Sequence, residues 1–176
     1  MIIAIGSDHA GFTYKEKIKA YLLAAGHEVE DFGTDSEEAC DYPKFICPAA
    51  RAVGEGLCER GIVLGGSGNG EAMVANRHRG VRCALCWDLR SVELARHHND
   101  ANMISLGERL ISQDLAMKIV EAFLREGFDA GRHQRRIRQI DQEAAPRVFV
   151  LDGEALVDTR ARVASRDEHL KPAMDR

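Results

Sequence analysis

Two hydrophobic rhythms alternate along most of the chain. Ile2-Ile3-Ala4-Ile5 is a continuous apolar run of strand length, and Gly6 to Gly11 reads as the loop that follows it. Beyond it Tyr14, Ile18, Leu22 and Ala25 return at steps of three and four, which predicts an amphipathic helix stopped at Gly26. His27 to Phe32 predicts a second strand, and the alternation of Glu28 and Glu30 with Val29 suits an edge position. Gly33, Asp35, Ser36 and a string of acids mark residues 33–42 as a loop. Pro43 fits the first turn of a helix, and Pro48 marks a restart. Gly61 to Leu64 predicts a third strand, residues 71–77 the helix after it, Val81 to Trp87 a fourth strand and Met103 to Leu106 a fifth. Asp88 caps a helix running through His97, and Ser112 caps another in which Leu115, Ile119 and Phe123 share a face.

A strand followed by a helix, five times over, predicts an α/β fold: a five-stranded parallel sheet with helices on both faces. Such sheets take ligands at the carboxyl ends of their strands. The loops at 6–11, 65–70, 87–88 and 107–109 lie there, and they are rich in glycine or ionisable groups. Residues 132–142 read as a helix with one basic side, ended by Pro146. Val148 to Val157 holds two short apolar runs around Asp152-Gly153, a hairpin pattern, and the charged stretch from Thr159 reads as a mobile tail. The expected division is a domain over 1–142 and an extension over 143–176.

With 176 residues, 45% of them hydrophobic, the chain can bury one core of ordinary size but not two. Its formal net charge of -4 provides no broad basic field, which argues against nucleic acid and anionic membrane as partners. An anionic ligand needs a local cluster, and Arg132, Arg135, Arg136 and Arg138 supply one. The apolar start breaks at Gly6-Ser7-Asp8 without a basic leader, and no apolar stretch approaches the ~20 residues that span a bilayer, so a cytoplasmic protein is expected. Five cysteines at irregular spacings suit reduced thiols. Cys83 and Cys86 have redox-motif spacing, yet on a strand they face opposite ways, and the histidines lack zinc-ligand spacing; no metal is expected.

Gly65-Gly66-Ser67-Gly68-Asn69-Gly70-Glu71 directly follows the third strand. Glycines there let main-chain N–H groups converge on one point, a cradle for a phosphate or an oxyanion, although a tight strand-to-helix turn uses the same residues. The run lacks the ribose-binding acid of a dinucleotide site and the Lys-Ser/Thr ending of a nucleotide loop. Glu71 stands beside the cradle. A carboxylate there either complements the helix dipole or takes a proton from a carbon next to a carbonyl held by those N–H groups. Asp8-His9 follows the first strand and so reaches the same mouth, to move a proton or hold a phosphate, or simply to cap a helix. His98 and Asn99 close the fourth helix, as acid or base and as hydrogen-bond donor, while His97 reads as a dipole partner. Arg132 and Arg136, four apart, share a helical face and can fork around a phosphate; a solvated basic face is the commoner meaning of such a run.

Ser7-Asp8-His9-Ala10-Gly11, Asp41-Tyr42-Pro43, Gly66 to Glu71, Ala75-Asn76, His98-Asn99-Asp100-Ala101-Asn102, Gly107-Glu108-Arg109 and Arg132 to Arg136 occur in that order between Met1 and Ile140. Together they resemble ribose-5-phosphate isomerase of type B, the family that includes the galactose-6-phosphate isomerase subunits. The resemblance implies a Rossmann-like three-layer α/β/α sandwich and a homodimer or homotetramer with shared active sites. It also implies interconversion of ribose 5-phosphate and ribulose 5-phosphate without a cofactor. By the same resemblance Asp8, His9 and Tyr42 contact the substrate, Gly66, Ser67, Gly68, Asn69 and Gly70 form the anion hole, and His98 assists ring opening. Asn99, Arg109, Arg132 and Arg136 complete the contacts to sugar and phosphate. Many members carry a cysteine base at the position of Gly65. A second branch has Ser at 67 and Glu at 71, and this sequence resembles that branch, with Glu71 as the base. A four- or six-carbon sugar phosphate as substrate, or a non-catalytic sugar-phosphate-binding role, are the alternatives, and the chain beyond Ile140 lies outside the pattern.

Overall fold

The computed structural model describes residues 1–143, 147–151 and 154–158. Strands β1 (Ile2–Ser7), β2 (Glu28–Asp31), β3 (Arg60–Gly65), β4 (Cys83–Leu85) and β5 (Met103–Gly107) form one parallel sheet in the order β2-β1-β3-β5-β4. Helices α1 (Phe12–Ala24), α2 (Pro43–Gly54), α3 (Asn69–Ala75) and α4 (Leu89–Asn99) connect the strands, and α5 (Gln113–Arg125) and α6 (Arg132–Glu143) follow β5. This is the expected α/β sandwich, with β2 and its exposed Glu28 and Glu30 on the edge.

Side-chain alternation along the strands makes the layers. Ile3, Ile5, Ile62, Leu64, Ile104 and Leu106 face one side, where Ile18 and Leu22 of α1, Val92 of α4 and Ile119 and Phe123 of α5 close over them. Ala4, Val63 and Met103 face the other, under Ile46, Ala49 and Val53 of α2 and Ala75 of α3. Cys86 belongs to the first face and Cys83 packs against the second, so the two thiols do point apart.

Tertiary burial also explains where local sequence signals misled. Pro48 lies inside α2, which runs through it without the expected restart. A proline costs a free helix about 3 kcal/mol. Burying a large aliphatic side chain such as Ile46 or Val53 returns roughly 1.5–3 kcal/mol, and with Ala49, Ala50 and Ala52 beside them the buried face of α2 keeps the helix whole. β4 is shorter than the 81–87 stretch predicted. Val81 donates its N–H to His78 O (3.2 Å) and Arg82 to the Asn102 side chain (2.8 Å), while Trp87 and Asp88 donate to Ser91 Oγ (3.2 Å each), so none of these serves the ladder. Asn76 closes the outer edge of β4: its Nδ2 donates to Cys83 O at 2.8 Å and its Oδ1 accepts the Cys83 N–H at 2.9 Å.

β1 and β3 are neighbours whose connections leave in opposite directions along the sheet. The loops after them diverge and open a crevice at their carboxyl ends.

Residues Met1–Ile137 form one compact unit, and the chain from Arg138 belongs to a second. In the second, β6 (Arg147–Leu151) and β7 (Glu154–Asp158) are an antiparallel pair, with Arg147 opposite Asp158 and Leu151 opposite Glu154. The stop read at Pro146, the Asp152-Gly153 turn and the tail from Thr159 lie outside the described residues. No described helix is long and apolar enough to cross a membrane.

Candidate active site

A cleft of about 370 Å³ opens at the β1–β3 crevice, lined by Asp8, His9, Ala10, Tyr42, Gly66, Ser67, Gly70, Glu71, Arg109 and Leu110. Asp8 caps the single 3-10 turn His9–Gly11, its Oδ1 accepting the Ala10 N–H at 2.9 Å. His9 Nδ1 accepts the main-chain N–H of Cys40 at 3.2 Å. That bond puts the ring proton on Nε2 and makes His9 a neutral donor, so the 3.9 Å approach of Asp8 Oδ2 to Nδ1 is not an ion pair. The 33–42 loop is tied to β1 by Thr34 N–H donating to Ser7 O (3.0 Å), and it carries both Cys40 and Tyr42, whose ring lies against Gly70.

The glycine loop is held from below. Gly68 has φ +78, and a Cβ there would meet Leu85 Cδ1 at 2.7 Å, so backbone and space both demand glycine. Ser105 Oγ on β5 donates to Gly68 O at 2.6 Å. Asn69 donates its main-chain and side-chain N–H to Ser67 Oγ, each at 3.3 Å, so Asn69 is engaged in shaping the loop. Ser67 Oγ accepts both and keeps its own hydrogen to donate. Glu108 and Arg109 donate their main-chain N–H groups to Gly65 O (3.0 Å) and Gly66 O (3.1 Å), and the Arg109 guanidinium lies over Gly66.

Glu71 sits in the first turn of α3 and is only 4% exposed. Its carboxyl fills the space above Gly65, where a Cβ would lie 2.0 Å from Oε1. Burial pushes its pKa above the ordinary carboxyl value, the nearby Asp8 charge adds to this, and its own main-chain N–H opposes it. A buried carboxyl of raised pKa, beside a hydroxyl donor and a turn of glycines, can take a proton from a substrate carbon while the developing anion is met by N–H and O–H donors.

The other predicted residues lie elsewhere. α4 ends where β5 begins, so His98 and Asn99 are at the amino end of β5 and the cleft is at its carboxyl end. Five residues at about 3.3 Å each put roughly 16 Å of strand between them. Arg82 fixes this end of α4, donating from Nε to Asn99 O (3.0 Å) and from Nη2 to Asp100 O (2.8 Å). The His98 and His133 rings are stacked, with centroids 4.3 Å apart and planes 6° from parallel. Arg132 and Arg136 are exposed on α6, beside His133. Within one chain, therefore, the predicted residues form two groups that do not meet.

Some members of the cleft carried no sequence signal. Leu110 is a bare wall, and behind the lining Cys40 acts through its main-chain N–H to His9 and Ser105 from beneath the loop. Among the described residues no group of three or more His, Cys, Asp or Glu is arranged to hold a metal ion.

Residues 3–140 match the family model described as Ribose/Galactose Isomerase. The chain is 46% identical over 139 residues to the protein named ribose-5-phosphate isomerase B of Mycolicibacterium paratuberculosis, covering 78% of this chain and 87% of the relative. Among solved structures, the ribose 5-phosphate isomerase of Thermotoga maritima is 50% identical with a TM-score of 0.78, covering 80% of this chain and 97% of that one. Ribose-5-phosphate isomerase B of Mycoplasma genitalium, solved with ribulose-5-phosphate bound, is 37% identical with a TM-score of 0.78, over 81% of this chain and 95% of that one.

Proposed function

The chain belongs to the ribose/galactose isomerase family, and on that footing we propose that it interconverts ribose 5-phosphate and ribulose 5-phosphate in the β1–β3 cleft. The observation that carries the reading is the buried Glu71 carboxyl set over Gly65 beside Ser67 and the glycine loop.

Ring opening breaks the C1–O4 bond of the furanose. Its electron pair stays on O4, which takes a proton from His98, while the O1–H proton passes to Asp8 as C1=O forms. Glu71 then removes the C2 proton, the freed pair forms C1=C2, and the carbonyl pair moves onto O1. The enediolate is met by the Ser67 hydroxyl and by loop N–H groups between Gly66 and Gly70. The O2 proton moves to O1, C2=O forms, and Glu71 returns its proton to C1. Arg132, Arg136 and the Nε2–H of His9 hold the phosphate, and Arg109, Asn99 and Tyr42 complete the enclosure.

One small sugar phosphate cannot span the roughly 16 Å between the two groups of residues. Each site is therefore completed by His98, Asn99, Arg132 and Arg136 of a second copy, in a symmetric dimer or a pair of dimers. Preparing Glu71→Gln and His98→Asn chains together tests this. In a mixed dimer one site carries both changes and the other carries none, so random pairing should restore about a quarter of the wild-type rate. Activity no greater than the sum of the separate variants contradicts shared sites. The substrate itself is tested with four-, five- and six-carbon sugar phosphates. Ribose 5-phosphate should give a kcat/KM at least about 10-fold above the others, and a higher value on another chain length reassigns the substrate.

A further inference from the structure

His98 lies half-buried in the last turn of α4, where an imidazole without a neighbour has several rotamers open to it. In this chain it has a built neighbour. The segment after α5 is fastened to the end of α4 at three points: Arg96 Nε donates to Glu126 O (3.1 Å), His97 Nε2 meets Glu126 Oε2 (2.9 Å), and Asp129 N–H donates to His97 O (3.0 Å). Ala130 and Gly131 follow, both in the left-handed region at φ 55 and φ 54, and they turn the chain into α6. His133, in the first turn of α6, thereby lands face to face on His98.

His133 is suited to brace rather than to react. Arg132 Nε donates to its Nε2 at 3.5 Å, which requires that nitrogen to be unprotonated. Burial, followed by the neighbouring His98, Arg132 and Arg136, holds its pKa below the ordinary imidazole value, against the pull of Asp129. An uncharged ring can stack on His98 whether or not His98 carries a proton. The neighbouring His97 on α4 is engaged by Glu126 and, at 4.0 Å, by Asp129.

We propose that His133 is the positioning residue for His98: its stacked ring holds the His98 imidazole in the orientation from which it serves ring opening in the neighbouring copy. The inference rests on the assignment of His98 to ring opening, and one partial reaction separates the two. Turnover of ribose 5-phosphate, which is cyclic, needs ring opening. Ribulose 5-phosphate cannot close through its phosphorylated O5, so exchange of its C1 hydrogen with heavy water needs only the enolisation step.

His133→Ala should slow ribose 5-phosphate turnover about 10-fold and leave the exchange rate within about twofold. His133→Phe, which keeps a flat ring and has no ionisable group, should recover turnover to within about threefold of wild type. If the alanine chain does not fold, His133→Leu fills the space without a flat ring and carries the same expectation. Unchanged turnover in the alanine or leucine chain, a phenylalanine chain as slow as the alanine one, or turnover and exchange falling together, overturns the positioning role. A His98→Asn chain that loses exchange as much as turnover overturns instead the ring-opening assignment on which it rests.

Discussion

Glu71→Gln should lower kcat on ribose 5-phosphate by about 10³-fold or more, with KM changed by less than about threefold. Glutamine keeps the volume above Gly65 but cannot accept the carbon-bound proton, while the phosphate contacts come from other residues. The pH dependence follows from the raised pKa of Glu71, whose first cause is burial. The base must be ionised, so as pH falls the wild-type rate should decline at a pH above the ordinary carboxyl value of 4.5. Stability runs the other way. A carboxyl whose pKa is higher folded than unfolded costs the folded state stability once pH exceeds the folded pKa, and costs nothing below the unfolded one. The Gln variant should therefore melt at a higher temperature than wild type at neutral pH, and the difference should vanish below about pH 4.

Gly65→Ala should be nearly as damaging, although it adds one methyl group and removes nothing. The new Cβ would sit 2.0 Å from Glu71 Oε1 and 2.3 Å from Cδ, so the carboxyl must leave its place. A displacement of an ångström or more in a proton-transferring group costs about 10²-fold in rate. The loss should be non-additive: introduced into a Glu71→Ala chain, where the space is empty, Gly65→Ala should cost almost nothing more. A full 10²-fold loss in that background would mean that residue 65 acts through the loop backbone and not through Glu71.

The same clash accounts for the departure at position 65. The resemblance puts a cysteine base there in many members of the family, and in this chain the Glu71 carboxyl occupies the space such a side chain would enter. In this chain residues 65 and 71 compete for one volume, and Glu71 leaves no room for a side chain at 65.

The sheet was legible because β1, β3 and β5 are apolar runs, the alternation of Glu28 and Glu30 with Val29 marked the edge strand, and helices such as α5 keep a clean period. Pro48 and the ends of β4 were not, because a buried face and main-chain hydrogen bonds donated to the Asn102 and Ser91 side chains outweighed the local signals. Asp8, His9, Ser67, Glu71 and Arg109 could be assigned to one mouth from strand order alone, since each follows the end of β1, β3 or β5. The separation of His98 and Arg132 from that mouth was equally implicit in topology, because residues that end α4 or begin α6 cannot share the carboxyl end of β5. What the sequence pattern could not carry was contact made by main chain, as from Cys40 to His9, and the stacking of His133 on His98, which depends on the turn at Ala130 and Gly131.

Hydrogen exchange at C1 of ribulose 5-phosphate in heavy water reads the proton transfer proposed for Glu71 with no contribution from ring opening. The wild-type chain should exchange one C1 hydrogen readily, and the Glu71→Gln chain about 10³-fold more slowly. Exchange by the Gln chain at the wild-type rate would show that another group moves the proton.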